Sequence, residues 1–396
     1  MPFYEPGLEE IVESNVREGR LSFTGDLKAA VKNSKICFIA VGTPADADGA
    51  ADLSGVFAVA KEIAESMDGY RIIATKSTVP VGTGAKLTEV IAGATSHAFS
   101  VVSNPEFLKQ GDAVNDFLKP DRVVIGTSDS RARDEMRDLY APFMRTGNRV
   151  IEMDVPSAEM TKYAANAFLA VKISFINEIG RLCEAVGADV DQVRTGISRD
   201  PRIGGSFLFP GVGFGGSCLP KDVRALLRTA KQARCDMPVV ESAWDGNRKQ
   251  FEFYWNKIVS CFGEDLTGRI FSVWGLAFKP RTDDLREAPA LRLIDGLLER
   301  GGEVRAFDPK AMDNFRRLYG SSVTLCSDSY EACKGSDALL IMTEWNEFRR
   351  PSFERVRTEL RAPLIIDGRN LFEPKVMAER GFQYHSVGRA VSQVPT

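Results

Sequence analysis

"SAEMTKYAANAFLAVKISFINEIGRLCEAVGAD", residues Ser157 to Asp189, is the stretch on which the fold turns. It holds no proline, its apolar residues recur at helical spacing, and it predicts one long helix. More helical sequence follows it to about Phe262. On either side the chain obeys a different rule. Upstream, "KICFIAVGTP" (Lys35 to Pro44), "YRIIATKSTVPVGT" (Tyr70 to Thr83) and "AFSVVSNPEF" (Ala98 to Phe107) are short buried strands running into polar turns, with helical stretches such as Leu53 to Met67 between them. Downstream the alternation restarts with "GRIFSVWGLAF" (Gly268 to Phe278), "GEVRAFDP" (Gly302 to Pro309), "DALLIMTEW" (Asp337 to Trp345) and "APLIIDGRN" (Ala362 to Asn370). Strand, helix, strand in this rhythm predicts parallel sheets. The chain therefore divides into an α/β part over 1–155, a helical part over 156–262 and a second α/β part over 263–396. Thr43, Thr78 and Glu106 all follow strand C-terminal ends, where open α/β sheets bind their ligands.

A chain of 396 residues is too long for one core, and its 44% hydrophobic and 27% charged residues are ordinary for a soluble protein. A net charge of −3 with scattered basic residues excludes a nucleic-acid partner held by bulk electrostatics. No apolar run is long enough to span a bilayer, and "MPFYEPGLEE" has neither the basic nor the apolar region of a secretory signal, so a cytoplasmic protein is expected. Seven cysteines without a C-x-x-C pair, and only His97 and His385 beside them, give no support for a metal site.

Cys218 has unusual neighbours, "FPGVGFGGSCLPKDVRAL", Phe209 to Leu226. A glycine cluster marks a tight turn or a backbone that a ligand approaches closely. If Ser217 or Cys218 caps a helix beginning near Pro220, then Lys221 and Asp222 lie three and four residues on, on the same side. A helix N-terminus and a nearby ammonium favour thiolate over thiol. A glycine turn with an inert buried cysteine fits the local pattern equally. "GVGFGG", Gly211 to Gly216, matches G-x-G-x-x-G but follows Pro210 and no strand, so it is no dinucleotide fingerprint.

Three other places could support such a cysteine. Lys162 and Asn166, at i,i+4 in an apolar helix, share a face and could polarise one oxygen, or could be a solvated stripe. Glu106 could be a general base or an exposed loop carboxylate. Lys279 and Arg286 could hold phosphates or be surface charges.

Together with "YEPGLEE", "FIAVGTP", "KSTVPVGT", "NPEFL", "GLAFKPRTDDLREAP" and "DGRN", these motifs resemble the UDP-glucose 6-dehydrogenase family of nucleotide-sugar dehydrogenases, in order from residue 4 to 370. The resemblance implies two Rossmann-like parallel-sheet domains joined by a central helical dimerisation segment. It implies oxidation of a sugar primary alcohol to a carboxylate with two NAD and one water. Cys218 would attack the C6 aldehyde and carry a thioester. Lys162 and Asn166 would stabilise the oxyanion, Glu106 would be the base, Asp222 would position water or cysteine, and Thr78 would lie near nicotinamide and alcohol.

For UDP-glucose the resemblance implies the loop Glu106, Phe107, Leu108 and Lys109, the loop Phe207, Leu208, Phe209, Pro210 and Gly211, then Gly215 at the sugar and Lys279 at the diphosphate. Arg202, with Arg369, would enter across a subunit boundary. For NAD it implies Thr43, Thr78, Lys221 and Arg286, with Gln110 where relatives carry an acid. A homodimer through the central helices is the minimum expectation.

The family begins with a strand, a G-x-G-x-x-G turn, a helix and a second strand. That unit has no counterpart here, so the first domain is expected to be incomplete at its N-terminus, as from a truncated reading of a longer gene, the favoured explanation, or as a real product that has lost tight NAD binding, and to expose an apolar edge and face. GDP-mannose dehydrogenase is the neighbouring alternative, and a non-catalytic dimer that binds UDP-sugars is the alternative of another class.

Overall fold

The structure is a computed structural model that describes residues 1–44, 46, 49, 51–144 and 149–391. It divides into two compact units. Met1, Glu5–Ala167 and Lys221–Asp236 form the first; Pro2–Tyr4, Phe168–Pro220 and the chain from Met237 onward form the second.

The first unit opens with helix α1 (Leu8–Arg17) and the short α2 (Leu27–Lys32), whose first turn Asp26 caps by accepting from the Ala29 N–H. Its sheet holds β1 (Ile36–Ile39), β2 (Arg71–Thr75), β3 (Phe99–Ser103), β4 (Val123–Gly126) and β5 (Val150–Met153), in that spatial order. Strands β1 to β3 are parallel, but Ser103 pairs with Gly126 antiparallel, and β5 then runs parallel to β4. The sheet is thus mixed where the alternation alone predicts a uniform direction. Because β4 reverses against β3, the connection 104–122, with only the short α5 (Ala113–Leu118), begins and ends on the ligand side of the sheet.

Alternate strand residues face opposite ways. Ile73, Cys37 and Ile39 pack under α3 (Ser54–Ser66) and α4 (Thr83–Ala94) through Val56, Ala60, Ile63, Leu87 and Ile91. Ile72, Ala74, Val102 and Ile125 pack under α6 (Ser130–Tyr140) through Ala132, Met136 and Tyr140. Strand β1 lies at the sheet edge with one face finished: Cys37 and Ile39 are buried, Phe38 is 39% exposed, and α1 buries no residue.

Helix α7 (Val155–Val186) runs from the first unit into the second, followed by α8 (Val190–Ser198), α9 (Leu219–Gln232) and α10 (Pro238–Phe262). On α7, Phe168, Phe175 and Leu182 are exposed and seven residues apart, so they line one stripe. The second unit's sheet is parallel throughout, in the order β11 (Gln383–His385), β10 (Leu364–Asp367), β9 (Ala338–Ile341), β6 (Ile270–Trp274), β7 (Glu303–Phe307), β8 (Thr324–Leu325). Strands β9 and β10 are buried along their whole length, which is why they read as continuous apolar runs. One face packs Phe271, Val273 and Leu340 against Leu293, Ile294 and Leu297 of α11 (Pro289–Glu299).

Beyond β11 the chain returns to the helices. The Val190 N–H donates to Gly388 O at 2.9 Å, the Gly388 N–H donates to Glu184 Oε1 at 2.7 Å, and the buried Arg389 pairs with Asp191 at 3.1 Å. No helix among the described residues is long and apolar enough to cross a membrane.

Candidate active site

At the ligand end of the first unit, Thr43 follows β1 and Thr78 follows β2. Thr43 Oγ1 donates to Thr78 O at 2.9 Å, and Ser77 Oγ donates to Val41 O at 2.6 Å, so the two turns are tied together. Glu106 follows β3. Lys162 Nζ donates to its backbone oxygen at 2.6 Å and to Oε1 at 3.0 Å, while the Leu108 N–H donates to Oε2 at 2.6 Å. Phe107 lies beneath the Arg122 guanidinium, 3.8 Å from the ring centre. Leu108 and Lys109 are exposed, and Lys109 pairs with Asp116 at 3.0 Å; Gln110 is half-buried. Glu5, of "YEPGLEE", accepts from the Gly111 and Ala113 N–H groups at 2.7 and 2.8 Å and so fixes the far end of this loop. Sequence reading found the motif and missed that role, because nothing in it signals a partner over a hundred residues away.

Lys162 is 4% exposed and Asn166 8%, which excludes a solvated stripe. Asn166 Nδ2 donates to Asp222 Oδ2 at 2.6 Å, and Lys221 Nζ pairs with Asp222 Oδ1 at 2.7 Å. The two donors on one face of α7 therefore each hold a different carboxylate. An ammonium has three N–H groups and an amide two, so both retain donors for a further oxygen. One turn earlier on α7, buried Glu159 accepts from the Gly82 and Gly84 N–H groups, both at 2.7 Å, clamping the start of α4. Burial holds its carboxyl above the ordinary range against the pull of those two bonds.

In the second unit Cys218 is exposed and immediately precedes α9, with Pro220 in that helix's first turn and its sulfur 3.6 Å from Ser217 Oγ. The inert, buried alternative does not hold for this residue. It does hold for Cys333, whose thiol burial pushes up to about 12. The glycines before Cys218 have a reason the sequence did not reveal: the chain packs on itself there. A Cβ on Gly215 would lie 2.0 Å from Glu287 O, and Gly216, at φ +86°, would place one 2.6 Å from the Phe278 ring. The Gly216 N–H donates to Arg286 O at 3.0 Å, so "GFGGSC" is stitched to "LREAP". Arg286 is raised above its ordinary pKa first by its hydrogen bond to Asp284, with the charge of Cys218 a lesser contributor.

The same unit gathers most of the expected nucleotide-sugar residues. The Gly211 N–H donates to Asn177 Oδ1 at 2.8 Å, and a Cβ there would meet Gly368 O at 2.7 Å and Arg369 at 3.8 Å. Arg369 reaches Phe278 O at 3.2 Å, next to the half-buried Lys279. Phe207 holds φ +63°, a strained turn; Leu208 is core, packed with Ile176 and Val190; Pro210 is buried. Phe209 is 61% exposed beneath Arg194, and Arg202 is exposed on a loop, paired with Asp200.

Among the described residues no glycine-rich turn follows a strand ahead of β1, so the phosphate cradle for the adenosine end of a dinucleotide has no counterpart in them. No group of three His, Cys, Asp or Glu among the described residues could hold a metal.

Two open α/β sheets, threonines at strand ends and a thiol at a helix start define an NAD-dependent dehydrogenase of the doubly domained kind. Residues 1–144, 156–249 and 272–374 match, in turn, the NAD binding, central and UDP binding domains of the UDP-glucose/GDP-mannose dehydrogenase family. The chain is 46% identical to the UDP-glucose 6-dehydrogenase of Pseudomonas aeruginosa over 98% of its length and 88% of that protein, and 46% identical to that of Rhizobium meliloti over 98% and 90%. A UDP-glucose dehydrogenase structure from Pyrobaculum islandicum superimposes with a TM-score of 0.90 at 37% identity, covering 98% of this chain and 88% of the other. The chain belongs to the UDP-glucose/GDP-mannose dehydrogenase family.

Proposed function

We propose that the chain oxidises UDP-glucose to UDP-glucuronate in two NAD-dependent steps through a covalent intermediate on Cys218. The observation that carries this reading is the thiol itself, exposed at the head of α9 with Arg286 in its charge environment. NAD, when bound, accepts a hydride from C6 in each step. In the first, Glu106 or a water it holds takes the hydroxyl proton and the alcohol becomes an aldehyde. Cys218 thiolate then adds to C6, and Lys162 and Asn166 stabilise the oxygen as it gains charge. The second hydride leaves a thioester, which water, positioned by Asp222, hydrolyses to the acid and the free thiol. Thr43, Thr78, Gln110, Lys221 and Arg286 are the residues proposed for the cofactor. Phe107, Leu108, Lys109, Arg202, the 207–211 loop, Gly215, Lys279 and Arg369 are those proposed for the nucleotide sugar.

The test measures NADH and UDP-glucuronate with UDP-glucose and GDP-mannose side by side. Two NADH per UDP-glucuronate is the expected result; preference for GDP-mannose, or a ratio of one, would overturn it. We further propose a homodimer in which the Phe168, Phe175 and Leu182 stripe of α7 is covered by a second copy, since such exposed apolar stripes mark interfaces. A cytoplasmic location fits seven cysteines that are all free thiols.

A further inference from the structure

One half-buried cation of the first unit, Lys76, takes no part in the chemistry above. Lys76, the residue after β2, donates to Asn104 Oδ1 at 3.2 Å and to Tyr140 Oη at 3.4 Å. Tyr140 Oη in turn donates to the same Asn104 Oδ1 at 2.6 Å, and Asn104 Nδ2 is anchored on Val124 O at 2.8 Å. The end of β2, the turn after β3 and helix α6 thus contribute one side chain each to a closed polar triangle. Asn104 is fully buried and stands two residues before Glu106, so the triangle fixes the root of the loop that presents the proposed base.

A lysine held this way, with neutral oxygens as its direct acceptors, is costly unless a nearby anion compensates it. The charged groups facing it are Glu106 on its own loop and Lys162 on α7; from α6 comes Tyr140, whose phenol burial pushes up to about 12 and so keeps neutral. Burial brings Lys76 down to about 8, Glu106 pulls it back up, and Lys162 pushes it further down.

We propose that Lys76 is a positioning residue of the oxidation, its ammonium closing the Asn104–Tyr140 triangle at the root of the loop, so that the loop holds Glu106 against Lys162. This inference rests on the role proposed for Glu106.

The experiment follows kcat and KM for UDP-glucose against pH in the wild type, Lys76→Arg, Lys76→Met and Glu106→Gln. With the charge removed at every pH, Lys76→Met should lower kcat about tenfold and leave KM within about twofold. Lys76→Arg should retain activity at pH 7 and lose an alkaline fall centred near pH 8, because guanidinium stays charged there. Independently of turnover, one lysine 13Cε resonance should titrate near pH 8 and vanish in Lys76→Arg. An alkaline fall unchanged in Lys76→Arg, or full kcat in Lys76→Met, overturns the inference. Full kcat in Glu106→Gln overturns the role of Glu106 instead, which separates the two. Should Lys76→Met fail to fold, the Lys76→Arg profile decides alone.

Discussion

Lys162 and Cys218 are both singled out by sequence, yet the structure builds their surroundings in opposite ways. Lys162 is 4% exposed and locked onto Glu106; Asn166, one turn on, is locked onto Asp222, which in turn holds Lys221. Cys218 is exposed, and what is rigid around it is backbone, fitted so closely that Gly215 has no room for a methyl group. A charge taken out of water must be closed on a partner or its ionised form is lost. A nucleophile must stay reachable, so its precision is delegated to the turn that carries it. One unit stores preorganised charge; the other presents an open atom on a stiff support.

The strongest attack on that contrast is Cys218→Ser. UDP-glucuronate formation should fall at least about a thousandfold, with thermal stability held within about 0.5 kcal/mol because the side chain is exposed. A product assay paired with a melting curve checks both halves, and a large stability loss would mean the sulfur belongs to the packing. Lys162→Met should cost about a hundredfold in kcat, the scale of a lost oxyanion donor. Asn166→Ala leaves Asp222 Oδ2 buried without its amide and should lower unfolding free energy by about 1–3 kcal/mol in urea. Gly215→Ala probes the other side: its Cβ would press on Glu287 O, and the same urea measurement should show about 1–3 kcal/mol of overpacking. A silent Gly215→Ala would mean the turn is loose, erasing the contrast.

A further effect is on stability against pH. Burial holds Lys76 at about 8 in the folded state, below its ordinary 10.5. Between those values the unfolded chain keeps a proton that the folded chain has released, so stability rises with pH through that window. Lys76→Met should flatten that rise in urea titrations at pH 8 and pH 10.

Strands β1, β2 and β3 and the long α7 were legible because each carries a strong period or an unbroken apolar run. Strands β4 and β5 were not: "VVIG" and "VIEM" are four residues each, and the reversal at Ser103 and Gly126 depends on where a loop re-enters the sheet. Within the site, Cys218, Lys162, Asn166, Asp222 and Glu106 stood out by residue type and spacing. Which carboxylate each donor grips did not, since Lys162 to Glu106 and Asn166 to Asp222 each bridge 56 positions. The glycines were legible as a cluster, but their cause, contact of Gly215 and Gly216 with residues 278–289, of Gly213 with Asn247 and of Gly211 with Gly368, exists only once the second unit has folded. Lys76 was invisible because a lysine after a strand reads as solvent-facing.

The return of the chain at Gly388 and Arg389 has a consequence of its own. Those two residues stitch the carboxyl-terminal side of the last strand to Glu184, Val190 and Asp191, so α7 and α8 are fastened by a clasp sewn on last. During synthesis the helices must wait, unfastened, until Gly388 and Arg389 have left the ribosome.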